Sequence, residues 1–410
     1  MARALFLSLP LHGHVNPSLP LVRGLVGRGD SVTYVGTAAF RPAIEATGAT
    51  FWPYQNPYLA SMSELPLQPE AIAWLLTRTT GEVLEHELDD FHALAPDYIV
   101  ADSVAPWGAW IGALLEVPVI GSVSTFAFNR AVLAWAGAAG VRPKGSRRVF
   151  SKIRNVARAL LLLRRLRRRY GVRGPGLMAS MMGGRAELNL VYTSREFQPR
   201  ADTFQRDRYH FIGPSIGART EIDDVPWPSL TKPIVFVSLG TLFNRDVGFY
   251  RRCIEALTSE GVDVILSVGR HVPLDSVGPV PAGVIVRQVV AQLEVLRRAT
   301  VFVTHGGMNS VSESLSAGVP MVVVPQMGEQ EIVARRVQDV GAGLFLAPAD
   351  ATAEALREAV DRVRTDKRFR EAAVTVGDSF RACGGVADGL RAISCYLERP
   401  HVDPGPGRSS

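Results

Sequence analysis

The feature that most constrains the fold is segment 301–330, VFVTHGGMNSVSESLSAGVPMVVVPQMGEQ. Its pattern predicts a buried β-branched strand, a break at HGG (305–307), a helix through Ala317, and a second apolar strand that ends in Glu329 and Gln330. A helix that opens on two glycines exposes backbone N–H groups, and its dipole adds about half a positive charge there. The segment therefore predicts an α/β fold with a phosphate-binding site at the start of this helix.

The side chains along this helix are spaced for a nucleotide. His305, Asn309 and Glu313 follow one another at intervals of four residues, so they lie on one side of the helix, with Ser310 beside them. An imidazole, an amide, a hydroxyl and a carboxylate in this order suit a diphosphate followed by a ribose. Because a Gly-Gly turn between a strand and a helix also occurs as plain geometry, the prediction depends on the complete run.

The run HxGxNSxxE, followed by GVP and EQ, resembles the nucleotide-sugar signature of the UDP-glycosyltransferase superfamily. Its wording is similar to the bacterial macrolide-glycosyltransferase branch. The resemblance implies a set of donor-binding residues in three groups. These are His305, Gly306, Gly307, Asn309 and Ser310 at the diphosphate, Glu313 at the ribose, and Glu329 with Gln330 at the sugar hydroxyls.

Composition agrees with a large enzyme in a reducing compartment. With 410 residues and 47% hydrophobic content, the chain is long enough for two or three domains with sizeable cores. The first apolar run stops at His12, far short of the roughly 20 residues of a membrane-spanning helix. Cys253, Cys383 and Cys395 have no metal-binding or redox spacing. We therefore expect a cytoplasmic protein with reduced thiols.

The basic charge of the chain is local. Of its net +6, thirteen cations lie in 142–173, a stretch without any acid, so the remaining chain carries about −7. Within this stretch, VARALLLLRRLRRRYG predicts a helix with a leucine-rich face and an arginine face. The pattern favours a solvated face beside the acceptor cleft. Contact with a membrane surface stays an alternative, and no motif indicates a nucleic acid.

Strand and helix patterns alternate in both halves of the chain. The first half contains the strand patterns ALFLSL, SVTYV, DYIVA and PVIGS, and the second contains IVFVSLG, VDVILSV, GVIVRQV, TVFVTH, PMVVVP and GLFL. Such alternation predicts parallel sheets covered by helices on both faces. Together with the signature it implies the α/β architecture called GT-B, in which two Rossmann-like domains face each other across a cleft.

We predict four segments on this architecture. An acceptor-binding domain covers 1–214, a proline-rich linker covers 215–232, and a nucleotide-sugar-binding domain covers 233–383. The last segment, 384–410, contains a helix that in this family commonly crosses back to the first domain.

The turn after the first strand supplies the predicted chemistry. A glycosidic bond forms when a hydroxyl attacks an anomeric carbon, and a neutral imidazole is suited to remove the hydroxyl proton. HGHVNP places His12 and His14 in a loop directly after the strand. The resemblance implies that His14 is the base and that His12 shapes the turn. It also implies that Asp102, after DYIVA, holds the imidazole, although an aspartate there is also an ordinary helix N-cap.

The second half adds further donor-site residues. Ser238 and Thr241 lie in a SLGT turn that resembles the family's SxGT turn at the phosphate. The helix N-terminus and a protonated His305 are the expected sources of positive charge there. Because the chain contains no Asp-x-Asp motif, we expect no metal, and no cofactor besides the nucleotide sugar as co-substrate.

One position departs from the family pattern. Where the family usually has W-x-P-Q, this chain has Val289-Val290-Ala291-Gln292, so a stacking surface for the base, worth about 1–3 kcal/mol, is absent. Gln292 is retained and is expected near the base. UDP- and TDP-linked donors both stay open, and a purine nucleotide remains an alternative.

Aromatic residues in the first half predict a hydrophobic acceptor. The candidate acceptor-binding residues are His12, Trp107, Phe126 and Phe128. Such a surface and the macrolide-like branch favour a macrolide, an ansamycin, another polyketide or a flavonoid. The expected reaction is an inverting, metal-independent O-glycosyl transfer, as by a hexosyltransferase. Two alternatives remain, which are a nucleotide-sugar epimerase of the same architecture and a membrane-surface glycolipid glycosyltransferase.

Overall fold

The computed structural model describes residues 1–60, 68–138, 149–172, 174–176, 179, 186–217, 224–240, 244, 246–258 and 261–399. Within these ranges the chain forms two parallel β-sheets, each flanked by helices. The predicted α/β fold with two sheets is therefore confirmed.

The first sheet has seven strands in the order β3-β2-β1-β4-β5-β6-β7. The strands are β1 (Arg3–Leu7), β2 (Ser31–Gly36), β3 (Thr50–Pro53), β4 (Tyr98–Asp102), β5 (Val119–Val123), β6 (Leu188–Val191) and β7 (Tyr209–Phe211). The sequence patterns predicted β1, β2, β4 and β5 but not the other three. Those three have only three or four residues each, which is too short for a clear hydrophobic period.

α-Helices accompany this sheet in the described residues. They are α1 (His12–Gly27), α2 (Arg41–Glu45), α3 (Pro57–Ala60), α4 (Pro69–His86), α5 (Leu88–Leu94), α6 (Trp107–Leu115), α7 (Arg130–Ala138) and α8 (Val149–Tyr170). The first of them corrects an expectation, because HGHVNP is the start of a helix and not a loop. The carbonyl of Leu11 accepts from the backbone N–H groups of His14 and Val15, both at 2.9 Å, and closes the first turn.

The second sheet has six strands in the order β10-β9-β8-β11-β12-β13. They are β8 (Ile234–Ser238), β9 (Asp263–Ser267), β10 (Val284–Arg287), β11 (Ala299–Thr304), β12 (Met321–Val323) and β13 (Gly343–Phe345). The central strand β8 is buried along its full length, as expected for a strand covered on both faces.

Seven α-helices follow in the second half of the described chain. They are α9 (Val247–Leu257), α10 (Gln292–Arg298), α11 (Met308–Ser316), α12 (Gly328–Asp339), α13 (Ala353–Thr365), α14 (Lys367–Ala382) and α15 (Gly385–Leu397). Glu329 and Gln330 therefore lie in the first turn of α12, not at the end of β12 as the pattern predicted. Strand β12 ends at Val323, and the chain bends at positions 326 and 327 before α12 begins.

The strand order places the site. In the first sheet the chain order reverses between the neighbours β1 and β4, and in the second sheet between β8 and β11. Open parallel sheets bind ligands at the carboxyl ends of such strand pairs. His14 follows β1, Asp102 ends β4, Gly240 follows β8 and His305 follows β11. Each sheet thus places two of these four residues at its carboxyl end.

The last helix, α15, packs on α1, in the first half of the chain. Ile393 of α15 is fully buried in the apolar core around β1 and β2. The guanidinium of Arg28 donates to the carbonyl of Leu390 at 3.2 Å and to the hydroxyl of Ser394 at 3.0 Å. No helix in the described ranges is both long and apolar enough to cross a bilayer.

Candidate active site

His14 and Asp102 form a buried pair at the carboxyl end of the first sheet. The Nδ1 atom of His14 lies 2.8 Å from Oδ2 of Asp102, and their side chains are 11% and 3% exposed. His14 is the third residue of α1 and Asp102 is the last of β4, so two rigid elements fix their relative position. Since Nδ1 is engaged, Nε2 is the nitrogen left to exchange a proton with a substrate.

Two further contacts define this pair. The Oδ1 atom of Asp102 accepts from the backbone N–H of Val104 at 2.9 Å, whereas the N-cap of α6 is Pro106, so the N-cap alternative for Asp102 is wrong. The hydroxyl of Ser124 lies 3.0 Å from His14 Nδ1. Ser124 was not among the sequence candidates. Its only signal is a serine directly after β5, the strand next to β4.

Charged side chains from both halves of the molecule act on His14. Burial lowers its pKa, but the charge of Asp102, the hydrogen bond to Asp102 and the charge of Glu329 together outweigh burial and raise the pKa above 6.5. Burial raises the pKa of Glu329, an effect that His14 opposes and Asp102 reinforces. Glu329 of α12 is therefore electrostatically coupled to the imidazole across the space between the two sheets.

Helix α11 begins after glycines for a steric reason. Gly306 has φ +84°, and a Cβ there would lie 2.7 Å from Val323 Cγ1 and 3.1 Å from the carbonyl of Gln330. Side chains at Gly307 and Gly240 would come within 2.4 and 2.5 Å of the His305 ring. Only glycine at these positions leaves room for the imidazole between the two turns.

Burial disfavours the charged form of His305. It lowers the pKa of the ring to about 4, despite a hydrogen bond with the backbone of Ser238. This pKa argues against the expected protonated His305 and leaves the backbone N–H groups at the start of α11 as the positive end of the site. The Ser238 hydroxyl accepts from the N–H of Gly240 at 3.3 Å. Thr241 lies outside the described residues.

Glu313, the carboxylate predicted to bind the ribose, is held by Gln292, the residue expected near the nucleobase. Nε2 of Gln292 donates to Oε2 of Glu313 at 2.6 Å and lies 3.4 Å from the hydroxyl of Ser310. Glu313 is 3% exposed, so this hydrogen bond offsets part of the cost of burying a carboxylate. Val289, where the family usually has tryptophan, is 45% exposed and offers an apolar but not an aromatic surface.

Asn309 and Glu313 border a gap between the two halves of the molecule. The gap is also lined by Pro17 of α1, Tyr192, Pro214, Ser215, Ile216 and Ser312. Asn309 and Glu313 of α11 thus face α1, the helix that carries His14. No group of three or more His, Cys, Asp or Glu side chains that could hold a metal ion occurs in the part of the chain that the structure describes.

Gln330 already uses one of its two polar atoms within the protein. Its Oε1 accepts from the backbone N–H of Gln326 at 2.8 Å and of Met327 at 3.3 Å, and the side chain is buried. Its amino group is the part that remains for a ligand. Glu329, one residue earlier, is half-buried.

The four acceptor candidates lie in different surroundings. Trp107 is fully buried and donates from Nε1 to the hydroxyl of Tyr54 at 3.2 Å, and Phe126 is 1% exposed and packs against Phe197 at 5.5 Å. Both are packing residues. Phe128 is half-buried, and His12 is exposed with its ring edge-on to Phe40 at 4.8 Å. Of the four, only Phe128 and His12 present surface.

Comparison with known proteins gives a consistent result. Residues 252–383 match the family described as Erythromycin biosynthesis protein CIII-like, C-terminal domain. The chain is 32% identical to the NDP-glycosyltransferase YjiC of Bacillus subtilis (strain 168) over 408 residues, which cover 97% of each protein. It is 32% identical to the demethyllactenocin mycarosyltransferase of Streptomyces fradiae, over 97% of this chain and 87% of that protein.

A solved structure is similar to this chain over nearly its full length. The glycotransferase of kitacinnamycin superposes with a TM-score of 0.81 at 29% identity, over 96% of this chain and 98% of that one.

Proposed function

The chain belongs to the macrolide-glycosyltransferase branch of the UDP-glycosyltransferase superfamily and has the GT-B fold, and from that premise we propose the details of its reaction. The protein is a glycosyltransferase of the natural-product type. We propose that it moves a sugar, a hexose, from a UDP- or TDP-linked donor to a hydroxyl of a hydrophobic natural product. The observation that carries this proposal is the buried His14–Asp102 pair, which is coupled to Glu329 on the opposite domain.

The proposed acceptor step is a proton transfer to His14. The acceptor hydroxyl gives its proton to Nε2 of His14 while its oxygen forms the bond to the anomeric carbon. Asp102 keeps Nδ1 protonated and stabilises the imidazolium that develops. The low exposure of the pair strengthens this interaction, because little water screens it.

The proposed donor step is departure of the nucleoside diphosphate. As the acceptor bond forms, the bond between the anomeric carbon and the phosphate oxygen breaks, and its electron pair stays on the diphosphate. The backbone N–H groups at the start of α11, with Asn309 and Ser310, bind the charge that accumulates there. Glu313 is proposed to bind the ribose, and Glu329 with Gln330 the sugar.

The donor and acceptor are proposals at the level of chemical class. The name of one relative, a mycarosyltransferase that acts on demethyllactenocin, supports a macrolide-like acceptor, and the exposed surface of Phe128 is compatible with an apolar one. The test is a matrix of UDP- and TDP-sugars against macrolide, ansamycin and flavonoid acceptors, read by mass spectrometry. Transfer to none of these acceptors, together with epimerised sugar from donor alone, would contradict the proposal.

We expect inversion at the anomeric carbon and activity without added metal. A base on one domain and a diphosphate site on the other support a single in-line displacement, in which the hydroxyl attacks the face opposite the leaving group. An α-linked donor then gives a β-linked product in the presence of EDTA. The anomeric coupling in the proton NMR spectrum of the product measures the stereochemistry. Retention of configuration, or loss of activity in EDTA that magnesium restores, would refute the corresponding half of this prediction.

A further inference from the structure

The outward face of α8 combines arginines with exposed apolar side chains. Helix Val149–Tyr170 contains eight cations and no acid. One side of it packs on α4, where Leu163 and Leu166 are buried in the first domain. The sequence predicted a leucine-rich face and a separate arginine face. The structure instead leaves Leu160 and Leu161 44% and 54% exposed, and Ile153 62% exposed.

These apolar side chains are interleaved with cations and not separated from them. Positions 153, 157, 160, 161, 164 and 168 fall within about a third of the helix circumference, and all six are exposed. Arg164 and Arg168 therefore lie on the same strip as Leu160 and Ile153. A helix that only needed solvation would keep leucine off this strip, whereas a helix at the boundary of a lipid bilayer inserts its apolar side chains and sets its arginines against lipid phosphates.

We propose that the outward face of α8 docks on an anionic lipid surface. The complementary charge is the argument for this occupant, since the strip has cations only and its apolar residues require an apolar phase beside the anions. A nucleic acid would satisfy the arginines but would leave the leucines in water. Docking would bring the acceptor-binding domain to a bilayer in which hydrophobic acceptors dissolve. That consequence rests on the proposed function, but docking does not.

Vesicle sedimentation tests the proposal with the full chain. We expect the protein to sediment with vesicles in which phosphatidylglycerol replaces part of the phosphatidylcholine, and not with pure phosphatidylcholine. The double variant Arg164→Gln, Arg168→Gln weakens partitioning by about thirtyfold, because each arginine near the surface contributes about fivefold. Leu160→Ser with Leu161→Ser weakens it by about tenfold, including at high salt.

The controls distinguish docking through α8 from a general effect of removing positive charge. Arg23→Gln with Arg370→Gln removes two exposed arginines elsewhere and should change partitioning less than twofold. Circular dichroism checks that every variant is folded. No binding to anionic vesicles, or binding that the α8 variants do not weaken, overturns the proposal. So does equal affinity for a duplex oligonucleotide combined with no effect of the leucine exchanges.

A second, independent observation concerns α12, which makes hydrogen bonds to the first domain from two of its residues. Arg336 donates from Nε to the carbonyl of Phe197 at 2.9 Å and from Nη2 to the carbonyl of Glu196 at 2.5 Å. Asp339, near the end of the helix, accepts from Trp135 Nε1 at 3.1 Å. Both contacts cross between the domains.

The segment that Arg336 contacts is packed between the two domains. Phe197 is fully buried between Phe126 of the first domain and Phe380 of the second, with ring centroids 5.5 and 5.7 Å from its own, and its N–H donates to the hydroxyl of Ser194 at 3.1 Å. The carbonyls that Arg336 binds therefore belong to a backbone segment held by packing and by a hydrogen bond.

The same side of α12 faces the catalytic pair. Glu329 and Arg336 are seven residues apart, which is close to two helical turns, so they project from the same side of α12 about 10 Å apart along its axis. We infer that Arg336 and Asp339 are positioning residues, which hold α12 so that Glu329 and the sugar it is proposed to bind lie at a fixed distance from His14. This inference rests on the proposed function.

Exchange of two neighbouring arginines provides a matched test. Arg336→Gln should lower kcat by about ten- to a hundredfold, because a small displacement of the sugar disrupts the in-line geometry, while affinity for free nucleoside diphosphate changes less than twofold. Arg335→Gln makes the same charge change on the next residue, whose guanidinium lies over Phe345 of the second domain at 4.1 Å, and should leave kcat within twofold. Arg336→Lys should rescue only part, since an ammonium has no planar fork.

The outcomes distinguish this inference from the proposed function. An active wild-type enzyme with unchanged kcat in Arg336→Gln overturns the inference alone, whereas an inactive wild type overturns the function. If circular dichroism shows that Arg336→Gln is unfolded, Trp135→Phe, which removes the indole N–H donor and keeps an aromatic ring, takes its place. We expect about a threefold loss of kcat from Trp135→Phe, and an unchanged kcat then refutes the inference.

Discussion

We expect His14→Ala to lower kcat for sugar transfer by about 100- to 10,000-fold, which is the usual contribution of a general base. Binding of free nucleoside diphosphate should remain nearly unchanged, because the proposed diphosphate contacts are on α11 of the other domain. Steady-state kinetics with a hydroxyl acceptor and isothermal titration with the nucleoside diphosphate measure the two effects. Turnover like that of the wild type would rule out His14 as the base.

The pH dependence identifies the role of Asp102. Transfer needs neutral His14, so the rate falls as the pH drops below the raised pKa of this imidazole. Asp102→Asn removes the charge that raises the pKa, so the acid limb of the rate profile should move to lower pH while the plateau rate also falls. The loss should be smaller than in His14→Ala. A profile that matches the wild type in both position and height would show that the pair does not act together.

The second large effect concerns the donor. Glu313→Ala should weaken both the nucleotide sugar and the free nucleoside diphosphate by about 10- to 100-fold, or ~1.5–3 kcal/mol, because a charged hydrogen bond to the ribose is lost from both ligands. The exchange also leaves the amide of Gln292 without the carboxylate that it contacts at 2.6 Å. Isothermal titration of both ligands measures the losses.

Variants at the start of α12 serve as the contrast. Glu329→Gln and Gln330→Glu should weaken only the intact nucleotide sugar and spare the nucleoside diphosphate. Gln330→Glu keeps an oxygen that can accept from Gln326 and Met327 and replaces the amino group with a carboxylate oxygen of similar size, so the backbone contacts are preserved. Identical losses for both ligands in all three variants would contradict the division between ribose and sugar.

The proposed donor residues of α11 could be singled out in the sequence because they are neighbours in the chain. Asn309 and Glu313 are four residues apart in α11, so their common side follows from the helical repeat, whereas His305 precedes the helix in the turn after β11. Ser124 was not predictable in the same way, since it reaches His14 only through the pairing of β4 with β5. The contact of Arg336 with Phe197 joins residues 139 positions apart, and no local pattern encodes such a pair.

By itself the sequence determined the alternating α/β pattern, the glycine-opened helix and the residue types at the strand ends, because these depend on local periodicity and on steric limits of single residues. The tertiary structure alone decided where charge resides. Burial lowers the pKa of His305 and Asp102 raises the pKa of His14, and both effects require groups from distant segments to lie together in a site shielded from water. It also decided that Leu160 and Leu161 remain exposed, because burial depends on which neighbour a helix face packs against and not on the face alone.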